Sequence, residues 1–585
     1  AGGGGGGGGG GRDLEDLSGG QGPDGMTPGG SSKLRPFSSR AGRGSGALLE
    51  AELFMKAGAY AALRLQIDDA GYARLDAALR SATLNPPNRP SELRADLRRC
   101  LAISYAAHVR RAEGGGGHAA WSLYDADSEF HRQGLQNPLS HWRVSRANEG
   151  YDVCGSYPRL LVVPRSVSDD ELRLAAKFRS GGRLPVLCWK DPYGVASICR
   201  SSQPCVGVAQ KRSTHDEALL QAIADTNPFA ERLQIIDCRP RVNAELNHAR
   251  GKGYEHAAQY GMAKLSFMNI DNIHVMRASL RSFLHLLQPH ATRAAAVEKA
   301  SLQKEEDAWL ENLEKCGWMD HLRTMLRASV LMVQMVSIDR ASVLVHCSDG
   351  WDRTPQLTAL AQLMLDSTFR TRDGFRRLVE KEWLSFGHQF ALRSATVAPL
   401  EKGGHAPHDE QVAPIFLQFV DCVWQLSQQY PTAFEFNGTY LATLLDHLYS
   451  CQYGDFLCNC ERQRVEQQLQ QRALSVWAPL DAPECLNAEF VPQKELVLLP
   501  DLSGARLRPW TAYYCRAASL QQPEPQALLE ARCASLTQEV ASLRRQLAAA
   551  GGAAPDPVAA PDPVAAPEPV AAPDPAAAPE PVAAP

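Results

Sequence analysis

The residues most able to do chemistry lie in one nine-residue stretch, His346-Cys-Ser-Asp-Gly-Trp-Asp-Arg-Thr354. Cys347 and Arg353 stand six apart, with Gly350 between them. A thiolate is a strong nucleophile, and a guanidinium presents a planar fork to phosphate oxygens. Phosphoryl transfer to sulfur is the chemistry that pair suits. In such a step Cys347 attacks phosphorus in line, while Arg353 and the loop amides carry the charge on the oxygens. Thr354 can donate its hydroxyl to the sulfur as it leaves in the hydrolytic step. The departing alkoxide needs a proton. Asp352 is the first candidate acid, and Asp349 the second. The acid role is preferred for Asp352 over merely capping a following helix, and Asp349 could only organise the turn.

The spacing alone says little. In a chain with 15 cysteines about one Cys-x5-Arg pair arises by accident. A second pair, Cys458 and Arg464, is present in CNCERQR and lacks the surroundings of the first. Those surroundings are the argument. ASVLVH (341–346) reads as a buried strand, and Leu357, Leu360, Leu363 and Leu365 recur on helical spacing after the loop. A turn from strand to helix N-terminus gathers backbone N–H groups without intrahelical partners, which makes an anion pocket. The same field favours the thiolate of Cys347. Gly350 permits the tight backbone path.

Further strands are expected at RLLVVP (159–164), LPVLCW (184–189) and LQIIDC (233–238). With amphipathic helices between them, residues 118–518 read as one large α/β domain with a central mixed sheet flanked by helices. Residues 47–113 carry amphipathic helical pattern, ALLEAELFMKAGAYAALRLQI and then YARLDAALRSA, and a glycine run at 114–117 marks a linker. Residues 1–46 are glycine-rich, and residues 550–585 hold 11 of the 38 prolines in a repeated [DE]PVAAP. Both ends are expected to be disordered, the second as an extended spacer. Between them, 526–549 places Leu529, Leu536 and Leu543 on one seam position and Cys533, Val540 and Leu547 on the other. That is a short coiled coil able to join two chains, or one amphipathic helix docked on the domain.

Composition narrows the function. Lys+Arg 61 against Asp+Glu 65 gives a net charge of −4, which is not the footprint of a nucleic-acid binder. The longest apolar runs, such as 330–336, fall far short of the roughly 20 residues that span a bilayer. No secretory leader pattern is visible, and the cysteines lack framework spacing, so reduced thiols in a cytosolic protein are expected. Cys451, Cys458 and Cys460, with His447 nearby, have the wrong spacing for a structural zinc site. GKGYE (251–255) is too short for a nucleotide loop. No metal or cofactor is needed by the chemistry proposed.

Around HCSDGWDRT the sequence resembles the myotubularins, a family of phosphoinositide 3-phosphatases. The likeness runs over about 400 residues. It includes SLYDADSEFHRQGL (122–135), WRVSRANEGYDVCGSYPRLLVVP (142–164), FRSGGRLPVLCW (178–189) and SQPCVGVAQKRSTHDEALLQAI (202–223). It continues through DCRPRVNAELNHARGKGYE (237–255), DNIHVMRASL (271–280), EKEWLSFGHQFALR (380–393) and LLDHLYSCQYGDFLCN (444–459). The resemblance implies an enlarged cysteine-phosphatase fold, of the protein-tyrosine-phosphatase type. It also implies removal of the 3-phosphate from phosphatidylinositol 3-phosphate and phosphatidylinositol 3,5-bisphosphate at an endosomal membrane surface. The implied phosphate contacts are Cys347, Ser348, Asp349, Gly350, Trp351, Asp352 and Arg353, with Asp352 as general acid. Further substrate contacts correspond to Asn247, Asn272, Ile273 and Arg393. By themselves Asn247 reads as a turn residue and Asn272 as a cap.

Three departures stand out. Gln389 occupies a position that is usually basic in active members, where it could face a second ring phosphate. The segment after Arg393 is longer and less regular than the family's. A complete lipid-binding PH-GRAM domain is not identifiable ahead of the catalytic part; residues 47–113 could be its remnant, with 47–83 its closing helix. A protein phosphatase and a non-catalytic phosphoinositide-binding scaffold are the competing readings, and the intact Cys347 and Arg353 argue against the scaffold.

Overall fold

The computed structural model describes residues 49–53, 63–67, 99, 102–107, 109, 121, 124–287, 309–394 and 411–515. The expected coiled coil at 526–549, the two tails, and the segment 395–410 lie outside the described residues. The chain divides into two units, Ala1–Tyr513 and Tyr514–Pro585, and the catalytic candidates all belong to the first.

The helical expectation for the start of 47–113 is corrected. Strands β1 (Leu49–Leu53) and β2 (Leu63–Ile67) pair antiparallel, with Leu49 opposite Ile67 and Leu53 opposite Leu63. The reason is visible in LEAEL and LRLQI, which alternate apolar and polar residues with the period of a strand. Residues 102–107 are helical, while 71–81 fall outside the described residues.

Helix α1 (Ala126–Arg132) and the hairpin-like pair β3 (Trp142–Ser145) and β4 (Leu161–Pro164) lead into the domain. Helix α2 (Asp169–Ala176) starts on a capping box, in which Ser168 and Glu171 satisfy each other's backbone N–H. Next come β5 (Val186–Lys190), β6 (Ser197–Ser202), α3 (Thr214–Asp225), β7 (Leu233–Asp237), α4 (Arg241–Leu246), β8 (Ala263–Phe267) and α5 (Ile273–Leu287). After α6 (Trp318–Ser337) the chain returns as β9 (Val343–Cys347), then α7 (Arg353–Leu365), α8 (Arg372–Val379), a single helical turn at Phe390–Arg393, α9 (Ile415–Gln429) and α10 (Gly438–Ser450).

The main sheet has the order β5-β6-β9-β7-β8, parallel except for the antiparallel edge strand β5. All four strand segments expected from the sequence are strands. The central one, β9, is buried along its whole length, as a parallel strand covered on both faces should be. Helix α7 is buried from Thr354 to Met364 on every side, packed against α6 and α9. Three of its polar members bond internally: Thr358 and Gln362 both donate to Glu382, and Gln356 donates to Gln418, while Thr354 Oγ1 and Gln356 Oε1 are buried without a partner. Glu382 belongs to Glu380–Ser385, which winds as a π-helix directly after α8.

Candidate active site

The site grows from the register of β6 against β9. Ser202 pairs with Cys347, so β6 ends beside the start of the loop. Gly350 has φ +76°, and a Cβ there would lie 2.3 Å from Ser201 O. Only glycine fits between that carbonyl and the loop. The turn this permits brings Gly350 N–H to 3.2 Å from Cys347 Sγ, a donor aimed at the sulfur. Cys347 is 2 % exposed at the carboxyl end of the central strand.

Two buried arginines hold the carbonyl of the same glycine. Arg183 Nη2 and Arg200 Nη2 both donate to Gly350 O, at 2.9 and 2.8 Å. Arg200 is neutralised by Glu382 at 2.8 Å, and Arg183 reaches Phe386 O and Ser156 Oγ. Burial pushes the Arg183 guanidinium down from its ordinary range. Neither arginine was singled out from the sequence. A charge inside an otherwise buried strand was the available signal for Arg200. Behind the loop, His346 Nε2 lies 2.9 Å from Glu255, which also accepts from Arg179 at 2.6 Å. Burial pushes the Glu255 carboxyl up, but His346 and Arg179 outweigh it and hold the group well below the usual carboxylate range.

Asp352 stands at the N-cap position of α7, yet its side chain makes no capping bond. It takes a two-pronged contact from Arg393 instead, at 3.1 Å from Nε and 2.8 Å from Nη2. His388 Nδ1 is 3.3 Å from the same carboxylate and 2.7 Å from Trp351 O. Burial raises the Asp352 carboxyl, but Arg393 and His388 together pull it well below its ordinary range. His388, given no chemistry from the sequence, is therefore part of the site. Arg393 also donates to Gln411.

Arg353 begins α7 and donates through Nη1 to Ile270 O at 3.1 Å. That bond brings the DNIHV segment to the loop. Asn272 Oδ1 accepts from the N–H groups of His274 and Val275, so it caps α5, which Ile273 opens. Asn247 closes α4, and its carbonyl accepts from Lys252 N. Lys252 Nζ then reaches Ser180 Oγ at 2.8 Å and Asp349 at 3.6 Å, and Ser180 Oγ lies 3.0 Å from Asp349. Lys252 was missed in the sequence, where GKGYE was set aside as a nucleotide loop and read otherwise as part of the family likeness. Ser348 O accepts from Gln203 N, and Trp351 lies 5.6 Å from the Arg183 guanidinium. Thr354 is fully buried in the first turn of α7. Gln389 is half-buried, and its amide donates to Gly387 O.

The second Cys-x5-Arg pair has no such setting. Cys458 packs with Ala102, Leu457, Leu469 and Ala473, and burial pushes its thiol up to about 11. Among the described residues no group of His, Cys, Asp and Glu could hold a metal ion.

Comparison with known proteins decides the family. The family model described as the myotubularin-like phosphatase domain matches residues 101–465. The chain belongs to this family. It is 46 % identical over 409 residues to rat myotubularin, covering 69 % of this chain and 64 % of that protein. Against the bovine phosphatidylinositol-3,5-bisphosphate 3-phosphatase MTMR2 it is 46 % identical over 406 residues, 69 % of this chain and 60 % of the relative. The chicken protein of the same name is 44 % identical over 434 residues, 73 % of this chain and 72 % of the relative. The chain thus spans less than two thirds of the rat and bovine proteins. The matched region of the myotubularin-like domain contains Cys347, Asp352, Arg353 and Arg393.

Proposed function

We propose that this chain is a phosphoinositide 3-phosphatase, removing the 3-phosphate of phosphatidylinositol 3-phosphate and phosphatidylinositol 3,5-bisphosphate at the cytosolic face of an endosomal membrane. One observation carries the reading: a buried cysteine on the central strand accepts Gly350 N–H in a loop that also presents Asp352 and Arg353. Membership of the myotubularin-like family, and the 3-phosphatase named among the relatives, support the substrate class.

The steps follow from the site. The Cys347 thiolate attacks phosphorus, forming an S–P bond while the bond to the inositol 3-oxygen breaks. Arg353 and the loop N–H groups hold the three equatorial oxygens. Asp352 gives its proton to the leaving oxygen. It then takes a proton from the water that cleaves the S–P bond, returning the thiolate and inorganic phosphate. Asn247, Asn272, Ile273 and Arg393 orient the ring.

The test is phosphate release by the purified chain from soluble short-chain forms of both lipids and from a phosphotyrosine peptide. Lipid turnover that disappears in Cys347→Ser is the expected result, and the ratio of bisphosphate to monophosphate turnover reports the effect of Gln389. Turnover of the peptide alone would replace this reading with a protein phosphatase.

A further inference from the structure

Three large apolar side chains stand in water beside the site. Val208 is 75 % exposed, and Val242 and Leu246 are each 65 % exposed. Val242 and Leu246 are four residues apart on α4 and share one face of it. Leu246 directly precedes Asn247. Gly207 N–H donates to Lys252 O at 3.1 Å, and Lys252 N–H donates to Asn247 O at 3.1 Å. The turn bearing Val208 and the helix bearing the other two are thereby joined to the strip that sets Lys252 Nζ beside Asp349 of the loop.

Charge on this strip favours an anionic partner. Lys211 and Arg250 are exposed there, and Arg212 and Arg241 keep company with Glu217 and Glu245 at the surface. With Lys252 against Asp349, five cations face three carboxylates. A phosphoinositide must lower its headgroup to Cys347 while its acyl chains stay in the bilayer. The surface beside the loop therefore meets lipid. Apolar tips ringed by basic residues are the composition that settles at the boundary between headgroups and acyl chains.

We propose that residues 207–211 and 241–252 form the membrane-docking face of this protein, with Val208, Val242 and Leu246 entering the lipid boundary and Lys211 and Arg250 lying on anionic headgroups. The proposal rests on the phosphoinositide reading and names the surface that serves it.

The experiment compares the full chain with the Val208→Asp/Leu246→Asp and Val208→Ser/Leu246→Ser pairs. Sedimentation with phosphatidylcholine vesicles, with and without phosphatidylserine, is measured beside turnover of soluble short-chain phosphatidylinositol 3-phosphate. The wild type should sediment with the anionic vesicles, and the aspartate pair should bind them about tenfold or more weakly, with soluble turnover held within about twofold. The serine pair should fall between. Wild-type binding by both pairs, or no vesicle binding by the wild type, overturns the proposal. If the aspartate pair also loses soluble turnover, the serine pair decides by the same comparison. A wild type that binds vesicles but releases no phosphate from soluble lipid sinks the phosphatase reading and leaves the docking face standing.

Discussion

Asp352 must carry a proton to act as an acid, and its surroundings hold it ionised. Arg393 grips both carboxylate oxygens, and His388 lies against one of them. A phosphoryl dianion entering the loop changes this in two ways. It adds negative charge beside Asp352 and competes for the Arg393 fork, and each effect raises the carboxylate's affinity for a proton. Asp352→Asn is expected to slow turnover of the lipid by roughly 10²–10⁴-fold. An aryl phosphate should suffer far less, because a phenolate departs without being protonated. Equal losses on both substrates would remove Asp352 from the acid role. Lys252 acts on the other loop aspartate. Its ammonium lies 3.6 Å from Asp349 and spares an incoming anion that repulsion. Lys252→Ala should raise KM for the soluble lipid by roughly threefold to tenfold, allowing for the exposure of the pair, and change kcat little. In an Asp349→Asn background the same substitution should have almost no effect. An undiminished loss there would mean that Lys252 touches the substrate itself.

The strand, loop and α7 work as one element because Gly350 is wedged against β6. Alanine at this position would place its Cβ 2.3 Å from Ser201 O at φ +76°, so the loop would have to move. That movement breaks the N–H contact to the sulfur and the two arginine bonds to Gly350 O. Gly350→Ala should therefore cost at least about a hundredfold in turnover, while the thermal midpoint falls by only a few degrees. Unchanged turnover would show that the loop does not depend on this contact. The element itself was legible because parallel strands covered on both faces read as continuous apolar runs, and ASVLVH is one. LEAEL and LRLQI were misread for the converse reason: each is five residues long and sits among good helix formers, so a wider window favours helix. The charge of Arg200 inside a buried strand marked the residue but not its role. Its partners Gly350 and Glu382 are 150 and 182 residues away, and only the folded sheet brings them together. Asp352 shows the same limit on a shorter scale. A helix-start aspartate suggests a cap, and Arg393, 41 residues on, claims it instead.

At the scale of the whole molecule, carboxyl groups with opposite perturbations set how stability depends on pH. Glu255 and Asp352 are held below the ordinary carboxylate range, so the unfolded chain binds protons there first. Their stabilisation is present above about pH 4 and is lost as pH falls through their folded pKa values. Asp455 behaves in the reverse sense. It is fully buried, accepts from Ser475 Oγ at 3.0 Å and Val476 N at 2.6 Å, and is pushed up to about 7 by burial first and by Glu380 second. Glu380, at the start of the π-helix, accepts from the Trp477 indole at 2.7 Å and is itself raised by burial. The pair thus joins the π-helix to the segment 475–477 across a buried space. Between about pH 4 and 7 the unfolded chain releases the Asp455 proton while the folded one keeps it. Stability therefore falls as pH rises, by up to about 1.4 kcal/mol per pH unit. Asp455→Asn retains an acceptor for Val476 N–H and removes the titration. Its stability relative to wild type should grow between about pH 5 and 8, read from denaturant midpoints at the two values. A difference that stays constant across that window would show that Asp455 ionises near its ordinary range.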